Sequence, residues 1–105
     1  MKQANVRFTY HDYLLLPEDK RYEILDGELF VVPSPNTKHQ RVSLNLEVAL
    51  HQYAKSGNSG QVYHAPYDVI LSEDNVLQPD ILFVRKERAA IIGEANIQGA
   101  PDLGL

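Results

Sequence analysis

The sequence predicts one α/β domain of the α+β type, in which a mixed β-sheet is flanked by helices. Three observations support this prediction: an Asp-Gly turn between two alternating strands, a helical stripe of apolar residues, and a longer second hairpin with an apolar return strand. In chain order, the predicted elements are helix 10-16, hairpin 21-32, helix 38-55 and hairpin 61-84. The 105 residues allow a single domain, 1-105.

The composition is that of an ordinary globular protein, with 44% hydrophobic and 23% charged residues. There is no cysteine, which excludes a disulfide framework, a thiolate zinc site and a cysteine nucleophile. The residues after Met1 lack the apolar core of a signal peptide, and no segment reaches the roughly 20 apolar residues of a membrane span. We therefore expect a cytoplasmic location.

The formal net charge of -4 argues against tight nonspecific binding to DNA, because such binding depends on lysine and arginine. Two small groups of cations occur, Lys38 with Arg41, and Arg85 and Lys86 with Arg88. Groups of this size are typical of an ordinary solvated surface, so they carry little weight as a nucleic-acid interface.

The first helix and the first hairpin are indicated by short local signals. Thr9 and, three residues later, Asp12 have the pattern of a capping box, and Pro17 ends the helix. In the hairpin that follows, Asp26 and Gly27 separate two alternating strands. This dipeptide favours a two-residue primed turn.

The helix 38-55 follows a proline-rich loop and ends in a segment of glycine, serine and asparagine, 56-60. Its apolar residues recur at the spacing of one helical face, namely Val42, Leu46, Ala49, Leu50 and Tyr53. The pattern therefore predicts an amphipathic helix.

The hairpin 61-84 turns at 72-75, and Ala65-Pro66 interrupts its first arm, where we expect a bend or the start of pairing. A four-residue turn places Leu71 opposite Val76.

The return strand of this hairpin contains the apolar run 81-84, so we expect both of its faces to be covered, one of them by a helix. The strand should then lie centrally in the sheet. A short helix at 87-92 and the beginning of a strand at Asp102-Leu103 follow.

Asp80 is the most notable candidate for chemistry. It follows Pro79 and precedes the apolar run, which places its carboxylate at the mouth of a buried strand. Such a residue is either a turn or strand-rim residue, or a metal ligand, because a rigidly held and partly desolvated oxygen suits Mg²⁺. One carboxylate alone does not hold this metal well.

Five sequence blocks occur in order: Tyr22-Glu23-Ile24-Leu25-Asp26-Gly27-Glu28-Leu29, Pro33-Ser34-Pro35 with His39-Gln40, Ala65-Pro66 with Asp68-Val69, Gln78-Pro79-Asp80-Ile81-Leu82-Phe83-Val84, and Gly99-Ala100-Pro101-Asp102-Leu103. Together they resemble the Uma-two family, which is grouped with the restriction endonucleases in the PD-(D/E)xK nuclease superfamily. Each block is short, but five blocks in this order and spacing cover nearly the whole chain.

The resemblance implies a restriction-endonuclease-like core that hydrolyses DNA with Mg²⁺ or Mn²⁺. Pro79-Asp80 would be the first half of the superfamily motif, with Asp80 as the catalytic, metal-binding aspartate. In the family, the strand opened by Asp102-Leu103 continues to a second acid and then to a lysine. The sequence ends at Leu105, so we expect a domain that is incomplete at its C-terminal end and inactive as this short chain.

Two further carboxylates are candidates for the second acid. The resemblance includes Glu23 as a catalytic and metal-binding residue; the alternative is an exposed strand carboxylate paired with Arg21 or Lys20. Asp68 is the other candidate, but in the predicted pairing it faces Pro79 and points to the opposite face, and only a register shift of one residue would reverse this. We favour a solvated strand residue for Asp68.

The histidines give weaker signals. His39 opens the helix 38-55, where its imidazole either contacts phosphate or caps or packs the helix, and we favour capping or packing. His11, His51 and His64 show no metal-ligand spacing and are given no role. The sequence also contains no phosphate-binding or dinucleotide-binding glycine motif and no nucleophile elbow.

Two hypotheses of different classes remain. The first is a Mg²⁺-dependent endonuclease domain that cleaves DNA. The alternative is a catalytically dead module with a nuclease fold that binds a partner or itself. On this second hypothesis, an open sheet edge would pair two copies as a homodimer.

Overall fold

The strands form two sheets that share one buried core. The computed structural model describes residues 6–105. Its elements are α1 (Tyr10–Tyr13), β1 (Arg21–Leu25), β2 (Glu28–Val32), α2 (Thr37–Gly57), β3 (Gly60–His64), β4 (Asp68–Ser72), β5 (Asn75–Leu77), β6 (Ile81–Arg85), a 3₁₀ helix (Lys86–Ile91), β7 (Asn96–Gln98) and β8 (Leu103–Gly104). No helix among these residues is long and apolar enough to cross a membrane.

The larger sheet has the strand order β2-β1-β5-β4-β7 and the smaller sheet the order β3-β6-β8. β7 runs parallel to β4, whereas the other strand pairs are antiparallel. The predicted fold class, a mixed sheet flanked by helices, is therefore confirmed. The division of the strands between two sheets was not predicted.

The first hairpin agrees with its prediction. β1 and β2 pair from Arg21 opposite Val32 to Leu25 opposite Glu28. Between them, Asp26 and Gly27 both have positive φ, 50° and 79°. Two consecutive positive φ angles match the right-handed twist of the flanking strands, which is why this dipeptide was informative.

The helix preceding this hairpin is shorter than predicted, Tyr10–Tyr13 rather than 10-16. The capping box is present, since Thr9 and Asp12 exchange backbone-to-side-chain hydrogen bonds. The chain then tightens, because the N–H groups of Leu15 and Leu16 donate to carbonyls three residues back rather than four.

The second hairpin is divided between the two sheets. β4 pairs with β5 in the larger sheet and β3 with β6 in the smaller one, so the chain bends between these pairs as predicted for Ala65-Pro66. The predicted register was wrong. An irregularity at Leu71 places Ile70, not Leu71, opposite Val76, because an extra residue in one arm shifts all later pairs.

β6 is the central strand of the smaller sheet and is buried, as predicted. Leu82 and Val84 pack with Val69 of β4 and Ile97 of β7. The larger sheet, rather than a helix, therefore covers this face of β6.

Helix α2 has the predicted apolar stripe, but it contacts the rest of the fold with another face. The less exposed positions along the helix are Ser43, Glu47, Leu50 and Ala54. Except for Leu50, the predicted stripe faces outwards, and Tyr53 is 69% exposed. Within the described chain, α2 packs chiefly against β3.

Candidate active site around Asp80

Asp80 lies immediately before β6, where the second hairpin passes from the larger sheet to the smaller one. Its backbone is held on both sides. The Asp80 N–H donates to the carbonyl of Leu105 at 2.7 Å, and its carbonyl accepts from the Ala65 N–H at 3.0 Å. A side chain on a backbone fixed in this way has a well-defined direction.

The Asp80 carboxylate is partly exposed and is contacted by two nitrogen-containing groups. Its Oδ2 lies 2.8 Å from His39 Nε2, and its Oδ1 lies 3.7 Å from Arg21 Nη2. The Asp80 side chain is 34% exposed to solvent. Asp80 is therefore both oriented by the protein and accessible from solvent.

His39 reaches Asp80 because of the way α2 begins. Asn36, not His39, is the N-cap residue, and its side chain accepts a hydrogen bond from the His39 N–H at 2.8 Å. The imidazole is then free to turn away from the helix towards Asp80. The interpretation of His39 as a capping or packing residue was wrong.

Gln78 connects the surrounding elements. Its backbone N–H donates to Glu23 Oε2 at 2.7 Å, while its side-chain and backbone oxygens accept from Arg21 at 2.9 and 3.1 Å. Arg21 and Glu23 are two residues apart on β1 and so lie on the same face. Gln78 thereby orients the guanidinium that reaches Asp80.

Glu23 and Asp80 line different cavities. Glu23 lies beside Leu77 and Pro79, whereas Asp80 opens into a separate cleft. Neither Lys20 nor Arg21, both within the described chain, forms an ion pair with Glu23. Glu23 is instead a partly buried acceptor for the Gln78 backbone, which differs from the alternative of an exposed carboxylate paired with Arg21 or Lys20.

Asp68 is held by hydrogen bonds rather than being a solvated strand residue, and it lies beside Gln78, not Pro79. Its Oδ1 accepts from the Tyr13 hydroxyl at 2.6 Å and from Gln78 Nε2 at 2.9 Å. Burial, together with the adjacent Asp68 carboxylate, raises the pKa of Tyr13 well above its ordinary value. Tyr13 therefore remains a hydrogen-bond donor at neutral pH.

A cleft of about 610 Å³ opens beside Asp80. We call it the Asp80 cleft, and the polar residues relevant to its function are Arg21, His39, Arg41, Glu47, His64 and Asp80. A second imidazole-carboxylate contact lies within it, between His64 Nδ1 and Glu47 Oε2. No sequence signal points to this pair, because Glu47 and His64 lie on different elements and have no motif spacing.

The described residues do not assemble a complete metal site. Within residues 6–105, no group of three or more His, Asp or Glu side chains is arranged to hold an ion. Mg²⁺ in proteins usually has one or two carboxylates together with water and substrate oxygens. Asp80 offers one such carboxylate to the cleft, and an ion there would compete with His39 and Arg21.

Residues 9–104 match the model of the Uma2 family, which is described as "Putative restriction endonuclease". The chain belongs to the Uma2 family. This match confirms the resemblance drawn from the five sequence blocks, and it includes Glu23 and Asp80. Comparison with curated proteins finds no match.

A solved structure from Anabaena variabilis, described as a "putative nuclease belonging to DUF820", has a similar fold. The TM-score is 0.73 at 20% sequence identity, and the likeness covers 92% of this Uma2 chain. It covers 56% of the solved chain, so the Uma2 chain described here spans little more than half the length of that protein. At this identity the likeness shows a shared fold.

Proposed function

We propose that this chain is a metal-dependent endonuclease domain that hydrolyses phosphodiester bonds of DNA. The observation that supports this proposal is the position of Asp80 in the family's Pro-Asp block, with its carboxylate open to a cleft that also contains Arg21 and Arg41. Carboxylates bind divalent ions, and arginines pair with phosphate, so the cleft combines the two chemistries that cleavage of a phosphodiester requires. DNA as substrate agrees with the cytoplasmic location expected from the sequence.

The proposed cofactor is Mg²⁺ or Mn²⁺. Asp80 is the proposed first ligand, and Glu23, which lines another cavity and accepts from the Gln78 N–H, is the proposed second acid. A divalent ion supplies positive charge to a phosphoryl oxygen and lowers the pKa of bound water. Because the described residues form no three-ligand group, we expect this chain to bind the ion weakly and to cleave DNA little or not at all.

Paramagnetic broadening of NMR signals tests the metal assignment directly. Substoichiometric Mn²⁺ should broaden the amide signals near Asp80 before others, and Asp80→Asn should remove this preference. Asp26→Asn is the matched control, since it removes the same charge from an exposed turn outside the cleft. Broadening that centres on other carboxylates, or that survives Asp80→Asn, would show that Asp80 is not the ligand.

Cleavage is measured on supercoiled plasmid with Mg²⁺ and with Mn²⁺. We expect no nicking above that of Asp80→Asn protein purified in parallel. Nicking that is lost in Asp80→Asn would support the site and show that this chain suffices for activity. Nicking that both proteins retain would contradict the assignment of Asp80.

We further propose that two copies associate as a homodimer through α2. The exposed stripe of this helix includes Val42, Leu46 and Tyr53, which are 49%, 45% and 69% exposed. A second copy presents the same stripe, so a twofold axis would let the two stripes cover each other. The helix of 21 residues is about 31 Å long, which gives the contact a substantial length.

A further inference from the structure

Arg41 is the only arginine in the described chain, residues 6–105, that forms no ion pair. The other four arginines each contact a carboxylate: Arg7 contacts Asp26 and Asp74, Arg21 contacts Asp80, Arg85 contacts Glu87, and Arg88 contacts Asp102. Arg41 is exposed on the first half of α2 and lines the Asp80 cleft. The charge of a guanidinium without an acidic partner is not neutralised by the protein, and its five N–H donors are available to a ligand.

His64 supplies a second group to the same cleft. It ends β3, where it pairs with Ile81, the residue after Asp80. Its Nδ1 contacts Glu47, a residue on the face of α2 that is turned towards the fold. The ring is thus oriented by one nitrogen, and Nε2 remains available to a ligand.

We infer that the Asp80 cleft binds a phosphate of the DNA backbone through Arg41, with His64 as the second contact. This inference rests on the proposed function and names the residues that would hold its substrate. A guanidinium forms two parallel hydrogen bonds with phosphate. Both ring nitrogens donate only in the imidazolium form, so a contact of Nε2 with a phosphate oxygen, while Nδ1 donates to Glu47, requires the protonated ring.

The overall charge makes this local arrangement important. At a net charge of -4, the chain has no general attraction for DNA, so binding must depend on a few well-placed cations. The cleft volume of about 610 Å³ lies within the range of ordinary ligand sites. Each phosphate contact contributes about 0.9 to the slope of log affinity against log salt concentration, so one lost contact is measurable.

Fluorescence anisotropy of a labelled DNA duplex, in buffer with EDTA and low salt, tests the role of Arg41 without cleavage. Arg41→Gln should weaken binding about three- to tenfold and lower the salt slope by about one. Arg41→Lys keeps the charge but loses the two-point geometry, so it should bind with intermediate affinity. Arg85→Gln makes the same charge change at the far end of β6 and should bind within about twofold of the parent chain.

His64→Gln should weaken binding about two- to fivefold, whereas His11→Gln, which alters an exposed histidine on α1, should not. If Arg41→Gln and Arg85→Gln weaken binding equally, the inference is overturned while the proposed function stands. If the parent chain does not bind DNA at all, the proposed substrate is wrong, and the inference fails with it.

Discussion

Gln78 is the residue on which the orientation of Arg21 beside Asp80 depends. Its backbone N–H donates to Glu23, and its backbone carbonyl accepts from Arg21. Its side-chain oxygen also accepts from Arg21, and its side-chain NH₂ group donates to Tyr13 and Asp68. These partners come from three separate elements. The single amide therefore links α1 and β1 to the segment that enters β6.

Gln78→Ala should lower the free energy of unfolding by about 2–3 kcal/mol, since two or more partly buried partners lose their hydrogen bonds. Urea denaturation measures this change, and Gln52→Ala, on an exposed position of α2, is the control. NMR spectra should also show displaced signals at Arg21 and Asp80. Unchanged stability would mean that water replaces the Gln78 contacts.

The sequence draws attention to Asp80 and Glu23, because both lie in recognisable blocks, and the structure places only Asp80 in the cleft. Their partners could not be predicted in this way. Arg21 and Gln78 lie 57 residues apart, and no local pattern pairs them. His39 lies in one of the recognisable blocks, but its contact with Asp80 depends on the direction in which α2 leaves the preceding loop.

At the scale of the elements, Asp102 fastens the segment before β8 to the end of β6. Its Oδ2 accepts from the Arg85 N–H at 2.7 Å, and its Oδ1 lies 3.2 Å from Arg88 Nη1. The hydrogen bond from the backbone, followed by the nearby Arg88 charge, lowers the pKa of Asp102 below its ordinary value.

This lowered pKa predicts a pH dependence of stability. A group whose pKa is depressed by folding stabilises the folded state above its unfolded pKa, and loses this effect as the pH falls through the lower folded value. Stability should therefore fall as the pH drops below about 4, the ordinary aspartate value. Thermal unfolding between pH 7 and pH 2.5 measures this loss of stability, and the loss should be smaller in Asp102→Asn. An equally steep fall in Asp102→Asn would assign the effect to other carboxylates, such as Asp74.

The core shared by the two sheets gives a second prediction at this scale. Leu82 is fully buried among Val69, Val84 and Ile97, so Leu82→Ala should destabilise the fold by about 2–5 kcal/mol through lost burial and a cavity. Leu44→Ala, at a position that is 60% exposed, should change stability by less than about 0.5 kcal/mol. Equal effects in urea denaturation would contradict the observed arrangement of the core.

The elements themselves were largely predictable, but their packing was not. Asp26-Gly27 specifies its turn locally, and the spacing in α2 specifies a helix. The face that α2 turns towards the fold depends instead on where β3 lies, and the apolar spacing therefore indicated the wrong face. The bulge at Leu71 has no sequence signal, although it decides that Asp68 lies beside Gln78.

At the scale of the whole molecule, the second hairpin joins the two sheets, and Asp80 lies at their junction. The same arrangement leaves the apolar stripe of α2 exposed and makes β8 an edge strand. Large apolar patches on a protein surface mark interaction sites. The stripe is therefore a candidate interaction surface, and the proposed partner is a second copy.

Light scattering coupled to size exclusion tests this association. We expect a dimer at tens of micromolar that dissociates on dilution, and Leu46→Glu should convert it to a monomer, because two charges would then be buried against each other at the twofold contact. Val48→Glu is the matched control. It introduces the same charge at a similarly exposed position, 47% against 45%, but two helical positions away and so on the other side of α2. It should remain dimeric. A monomeric parent chain at all concentrations would rule out self-association, and dissociation of both variants would place the contact elsewhere than on the stripe.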